Sequence, residues 1–277
     1  MDTSPAASFP VRRVTASGAE DTRDMLAVEE PLEIRLVSGE GSARSNKPVS
    51  VTMRTPGHDE ELAVGFLFTE GIVTGSDEVL SVQAGADPQG NSVVVELDPK
   101  AAPALQGLER NFYTTSSCGV CGKASVDAVR VKSRYNAGDS QLKVASAMLN
   151  ELQGKLRGHQ KVFDVTGGLH ASALFDSAGN LVMVREDVGR HNALDKLIGA
   201  ALLQKKIPLS NHVLLLSGRI SFELVQKASM AGIPLVAAIG APSSLAVTLA
   251  EDGGMTLVGF LRENRYTVYC GQQRVVG

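Results

Sequence analysis

His212-Val213-Leu214-Leu215-Leu216-Ser217-Gly218-Arg219-Ile220-Ser221-Phe222-Glu223 is the stretch whose reading decides the fold. Its first five residues end in an unbroken apolar run, as a parallel strand buried on both faces requires. Ser217 to Ser221 is a turn of small and polar residues, and 222–231 carries the helical pattern that Gly232 closes. The rhythm then repeats. A strand spans 233–239, and Gly240-Ala241-Pro242-Ser243-Ser244 makes the next turn. A helix spans 245–251, Gly253-Gly254 ends it, and a third strand spans 255–261. Strands alternating with helices of this length specify an α/β layer with a parallel sheet.

Ligands of open α/β sheets bind at the carboxyl ends of the strands. Here those ends carry Ser217-Gly218-Arg219, then Gly240 to Ser244, then Leu261-Arg262-Glu263-Asn264-Arg265-Tyr266. Small hydroxyl residues at helix N-termini suit phosphate groups. Arg219, Arg262 and Arg265 can fork onto phosphate oxygens. Neither turn is a P-loop or a G-x-G-x-x-G, so a common ATPase or NAD-enzyme site is not indicated.

Upstream, 162–165 reads as a short strand, and Thr166-Gly167-Gly168-Leu169-His170 as a turn that sets His170 at an element's edge. A strand follows over 180–184. The next block is Arg185-Glu186-Asp187-Val188-Gly189-Arg190-His191-Asn192-Ala193-Leu194-Asp195-Lys196. Its second half is an amphipathic helix. Its front concentrates Glu186, Asp187, Arg190, His191 and Asn192, groups suited to a polar ligand.

The N-terminal third reads differently. Leu32-Glu33-Ile34-Arg35-Leu36 alternates apolar and charged residues, and Val49, Val51 and Met53 alternate again, which predicts a β-hairpin with a long loop. Pro56-Gly57 breaks it, and the acids at 59–61 open a helix over 59–68 that Gly71 terminates. Another strand follows over 93–97. This is a small α+β unit with an apolar face to dock. Residues 1–24 hold Ser, Thr, Ala, Pro and charge without an apolar core, and read as a frayed tail rather than a signal peptide.

A net charge of −3 offers no basic field for bulk nucleic-acid binding, and no apolar run is long enough to span a membrane. Three cysteines are too few and too odd for a secreted disulfide framework, so a reducing, cytoplasmic setting is expected. Two of them lie in Ser117-Cys118-Gly119-Val120-Cys121-Gly122, a C-x-x-C loop with a glycine after each thiol. Three chemistries use such a pair: half of a metal site, a redox dithiol, or a nucleophilic sulfur with a neighbour. The remaining Cys270, near the end of the chain, reads as a buried, inert thiol.

The cysteine loop, the Glu186–Lys196 block, Ser217-Gly218-Arg219-Ile220-Ser221-Phe222-Glu223 and Leu257-Val258-Gly259-Phe260 together resemble the formate dehydrogenase accessory protein family FdhD, over 25–275. The resemblance implies a sulfurtransferase. Such a protein takes persulfide sulfur from a cysteine desulfurase and passes it to the molybdenum cofactor, a bis-molybdopterin guanine dinucleotide, destined for formate dehydrogenase. It implies Cys118 as the persulfide carrier and Cys121 as its partner. It also implies cofactor contacts from Leu261, Arg262, Glu263, Asn264, Arg265 and Tyr266, which Ser217, Gly218, Arg219 and His191 join as candidates. A homodimer is implied, with a C-terminal three-layer α/β domain of cytidine-deaminase type and no tightly held metal of its own.

The expected organisation is then a tail over 1–24, an α+β subdomain over 25–110, a mobile cysteine loop over 111–124 and the α/β domain over 125–277. Deaminase chemistry does not carry over: its H-x-E is absent, since Ala171-Ser172 follow His170, and the C-x-x-C precedes the histidine. A cofactor-binding chaperone without covalent sulfur chemistry, and a structural zinc module, are the alternatives.

Overall fold

A computed structural model describes residues 4–85, 90–101, 131 and 133–277. The cysteine-loop expectations, Cys118 and Cys121 included, lie outside the described residues.

The expected strand–turn–helix rhythm is present. Strands β8 (His170–Asp176), β9 (Leu181–Asp187), β10 (His212–Leu216), β11 (Leu235–Ala238), β12 (Thr256–Arg262) and β13 (Arg265–Cys270) form one sheet in the order β13-β12-β11-β10-β8-β9. The central three are parallel, and β8, β9 and β13 run antiparallel to their neighbours. Apolar side chains alternate between its two faces. Ala171, Ala173, Phe175, Val213, Leu215, Val258 and Leu261 pack under helix α2 (Ser146–Arg157), through Leu149, Leu152 and Leu156. Leu174, Leu214, Leu216, Val236 and Leu257 pack on the opposite face, with helices α4 (Arg190–Leu203), α5 (Phe222–Met230) and α6 (Ser244–Asp252). Ser243 caps α6 by accepting from the amide of Ala246 (3.3 Å).

The N-terminal unit adds a four-stranded sheet in the order β4-β3-β6-β5, from β3 (Glu30–Ser38), β4 (Ser45–Arg54), β5 (Val79–Ala84) and β6 (Ser92–Leu97), with helix α1 (Asp59–Thr69) on it. Its apolar face does not form a separate core. Leu32, Ile34, Val93, Val95 and the buried side of α1 join the cluster that holds α4 and α5. Where α1 crosses α4, Gly65 and Gly199 let the backbones touch. Two short strands, β7 (Val144–Ala145) and β14 (Val275–Val276), tie the C-terminus to the start of α2.

Two expectations are corrected. Residues 6–27 are not a frayed tail: β1 (Ala6–Thr15) and β2 (Gly18–Ala27) form an antiparallel hairpin across the Ala16-Ser17 turn. Its charges are matched across the ladder, Arg12 with Asp21 and Arg13 with Glu20, and it rests against α3 (Lys161–Thr166). Residues 162–165 are not a strand either, but lie within that helix. The Glu186 carboxylate accepts from the amides of Val162 (3.1 Å) and Phe163 (2.9 Å), satisfying first-turn donors that a helix leaves unpaired. Gly167, in the left-handed region at φ 66°, closes the turn.

Candidate functional site

The chain folds a cavity of about 910 Å³ at the carboxyl edge of the main sheet. Three parts of the sequence wall it. Ser217, Ile239 and Arg262 follow or end the three parallel strands, and His170 begins the antiparallel β8 beside them. Glu263 and Asn264 form the β12–β13 turn, and Arg265 opens β13. Gln153, Gly154 and Arg157 come from α2, Gln160 immediately precedes α3 and Phe163 lies within it.

The turns after β10 and β11 are glycine-bound for a steric reason. A Cβ on Gly240 would lie 2.7 Å from the Gly218 carbonyl oxygen, and one on Gly218 would lie 3.2 Å from His170 Nδ1. Close backbone approach therefore lets the imidazole of His170 lie on the Ser217-Gly218 turn. The Ser217 hydroxyl accepts from the Ala171 amide (2.8 Å), which pins the turn to β8. Arg262 Nη1 donates to the carbonyls of Ile239 (2.8 Å) and Leu261 (2.7 Å), so its guanidinium is anchored at the cavity wall.

Electrostatically the cavity is basic. Arg157, Arg262 and Arg265 face one carboxylate, Glu263. Among the described residues neither Glu263 nor Arg265 forms an ion pair. The two histidines at this edge are neutral at neutral pH. Burial, and then the charge of Arg190, lower the pKa of His170 against a smaller opposing effect of Asp187. Burial, then Arg190 and Lys227, hold His191 at about 3.

Of the residues expected here, the cavity gathers Ser217, Arg262, Glu263, Asn264 and Arg265, and adds His170. The others are placed elsewhere. Leu261 is fully buried in the core under α2. Tyr266 packs on the same core, with its hydroxyl 2.6 Å from Ser146 Oγ. Gly218 lies behind His170, and Arg219 is exposed. His191 is 2% exposed, with Nε2 3.4 Å from Ser221 Oγ.

The front of the Glu186–Asn192 block is also largely committed inside the fold. Asp187 accepts from the amides of Thr55 (3.1 Å) and Gly189 (2.8 Å), from Asn192 Nδ2 (3.2 Å) and from Lys196 Nζ (2.7 Å). Asn192 also donates to the Met53 carbonyl (2.8 Å). These bonds join α4 to the N-terminal sheet, so Asp187 and Asn192 act as struts. Sequence reading missed the α2–α3 wall. The only signal was Gln153 and Arg157 at i and i+4 around Gly154, which an exposed helix face would carry equally well.

Comparison with known proteins agrees with this architecture. Residues 27–276 match the FdhD/NarQ family. The chain is 53% identical to the sulfur carrier protein FdhD of Streptomyces coelicolor, covering 93% of this chain and 92% of that one. It is 53% identical to that of Mycolicibacterium paratuberculosis (96% and 97%) and 42% identical to that of Sulfurisphaera tokodaii (97% and 97%). A crystal structure from Desulfotalea psychrophila, described as a formate dehydrogenase accessory protein, superposes with a TM-score of 0.74 at 24% identity, covering 99% of this chain and 100% of that one. With nearly its whole length matched at half identity, the chain belongs to the FdhD/NarQ family.

Proposed function

We propose that this protein is a sulfur carrier that moves persulfide sulfur from a cysteine desulfurase, through Cys118 and Cys121, to a molybdenum cofactor bound as substrate in the cavity. The recipient is formate dehydrogenase, and the working form is a cytoplasmic homodimer. The observation that carries the reading is the basic cavity at the sheet edge, with Arg262 anchored at the end of β12 and Arg265, at the start of β13, without an ion-pair partner among the described residues. It has the size and charge to take a bulky ligand with phosphate groups. The name shared by the relatives, sulfur carrier protein, supplies the chemistry.

Loading the carrier needs no oxidant. A cysteine thiolate attacks the sulfane sulfur of the donor persulfide, a new S–S bond forms, the donor's S–S bond breaks, and the donor cysteine leaves as thiolate. His170, whose pKa burial lowers, lines the cavity and can donate or accept a hydrogen bond there without adding charge.

Intact mass after incubation with a cysteine desulfurase and cysteine tests the reading. One added sulfur, about 32 Da, reversed by reductant and absent in Cys118→Ala and Cys121→Ala together, is the expected result. No gain with an active desulfurase shifts the reading to a chaperone that binds the cofactor without carrying sulfur, which the cavity would serve equally.

A further inference from the structure

Beside the cavity, two helices begin at one point. Arg190 opens α4 and Phe222 opens α5. Their starts are joined by His191, whose Nε2 lies 3.4 Å from the hydroxyl of Ser221, the residue before α5. His170 closes the group on the sheet side, since a Cβ on Gly218 would lie 3.2 Å from its Nδ1. Neither helix has a side-chain cap on its first amides. Both therefore present unpaired donors and the positive end of a dipole.

Arg190 adds a full positive charge where the dipole already disfavours one, and no acid stands in the first turn of α4. Its Nε is buried, and among the described residues its guanidinium has no hydrogen-bond or ion-pair partner. The Asp187 carboxylate is taken up by Lys196, Asn192 and the amides of Thr55 and Gly189. Ser172 lies two residues on from His170 along the same face of β8, and Leu174, next on that face, packs in the cluster that holds α4. Ser172 is 1% exposed, and its hydroxyl has no partner. Buried polar groups are as a rule paired, and these share one need, an acceptor.

We propose that this junction binds a small oxyanion of the sulfate, phosphate or molybdate type: the Arg190 fork takes two of its oxygens, and Ser172, His170 and His191 donate to the others beside the two helix starts. His170 lines the cavity and gives the ion its way in. Donors on several sides suit a tetrahedral ion, whereas a halide cannot engage a fork and a flat carboxylate would use the fork alone. The inference does not rest on the cofactor reading, which uses Arg262 and Arg265. Burial, then the charge of Arg190, lowers the pKa of both imidazoles. Asp187 also faces His170, and Lys227 and His170 also face His191. A bound oxyanion offsets the charge of Arg190, so sulfate, which does not itself titrate near neutrality, should bind more tightly as pH falls below 7.

Calorimetric titration of the full chain with sodium sulfate, phosphate and molybdate, in a buffer free of oxyanions, tests this. A dissociation constant of about 1 mM or tighter is expected for at least one of them, with no binding of chloride at equal ionic strength. Arg190→Gln should weaken it about tenfold, and Arg190→Lys less. Ser172→Ala removes a hydroxyl that bonds to nothing among the described residues, and should weaken binding severalfold at an unchanged thermal midpoint. Arg262→Ala/Arg265→Ala should leave it intact. Binding lost in that double variant and kept in Arg190→Gln and Ser172→Ala would put the ion on the cavity arginines and overturn the inference. So would no binding of any of the three ions at about 10 mM, an outcome that leaves the cofactor reading untouched.

Discussion

Gly65 on α1 and Gly199 on α4 meet at a crossing with no room for a side chain. A Cβ on Gly65 would lie 1.9 Å from the Asp195 carbonyl oxygen, and one on Gly199 would lie 1.8 Å from that of Glu61. The obstacles are backbone atoms, which cannot rotate away, so a methyl group would have to push the helices apart. That crossing fixes the N-terminal sheet against the helices of the main sheet, because α1 and α4 share one apolar cluster. Gly65→Ala and Gly199→Ala should each cost about 3 kcal/mol, the upper end of overpacking, read by denaturant unfolding. A midpoint within error of wild type in both would show that the helices can separate freely.

The parallel core was legible because its strands are buried on both faces and leave continuous apolar runs such as Val213 to Leu216. The β12–β13 turn was legible as a polar break after such a run. What escaped reading was polar sequence whose partner is remote. The N-terminal hairpin looks like a tail because its order lies in charge pairs across the turn, Arg13 with Glu20, rather than in an apolar face. Residues 162–165 read as a strand by their apolar, β-prone side chains, and the partners that hold them in a helix, Glu186 and the N-terminal hairpin, are remote in sequence. The Glu186–Asn192 block looked like a ligand face because its acids and amides are dense. Their partners, Met53 on β4 and Thr55 just past its end, belong to the N-terminal unit.

Beneath α1, Lys227 Nζ lies 2.9 Å from Asp195 Oδ2 and 2.8 Å from Thr69 Oγ1, and all three residues are buried. Burial works against the ammonium, but the Asp195 and Glu70 carboxylates hold its pKa above the ordinary lysine value. Removing the cation strands a carboxylate in the core. Lys227→Met should therefore cost about 3–5 kcal/mol, and Lys227→Met/Asp195→Leu should recover a large part of it. Unfolding measurements on both variants check this. Equal losses in the single and double variants would mean that packing, not charge, sets the cost.

Acid should weaken the fold in two stages. His191 has its pKa held at about 3, against 6.5 in the unfolded chain, by burial first. Between those values the unfolded chain binds the extra proton, so this contribution is complete above pH 6.5 and drains away as pH falls toward 3. Burial opposes ionisation of Glu61, but hydrogen bonds from Arg185 and His58 outweigh it and bring its pKa from 4.5 to about 2. That contribution is present above pH 4.5 and is lost on the way to 2. His191→Gln removes only the His191 contribution to the first stage, since burial also lowers the pKa of His170 and His212. Between pH 6.5 and 5 the wild type should lose up to ~1.4 kcal/mol more per pH unit than the variant. Parallel stability–pH curves for the two proteins would contradict the assignment.

Glu186 connects the sequence block that looked like a ligand face with the α2–α3 wall of the cavity, where Arg157 lies over the Phe163 ring, 4.5 Å from its centroid. Its carboxylate sits across the first turn of α3, bonded to the amides of Val162 and Phe163, and has no cavity-lining position itself. Six residues are too few to hold a helix by propagation alone, so the cap and the packing against the N-terminal hairpin must hold α3. Glu186→Ala should cost about 0.5–2 kcal/mol locally and let the first turn fray, taking Phe163 out from under Arg157. Hydrogen exchange reads this directly. Amides of Val165, Thr166 and the rest of α3 should exchange faster in the variant, while those of β10 and β11 keep wild-type protection. Unchanged exchange across α3 would show that the hairpin alone positions the wall, and that Glu186 is not what sets Phe163 under Arg157.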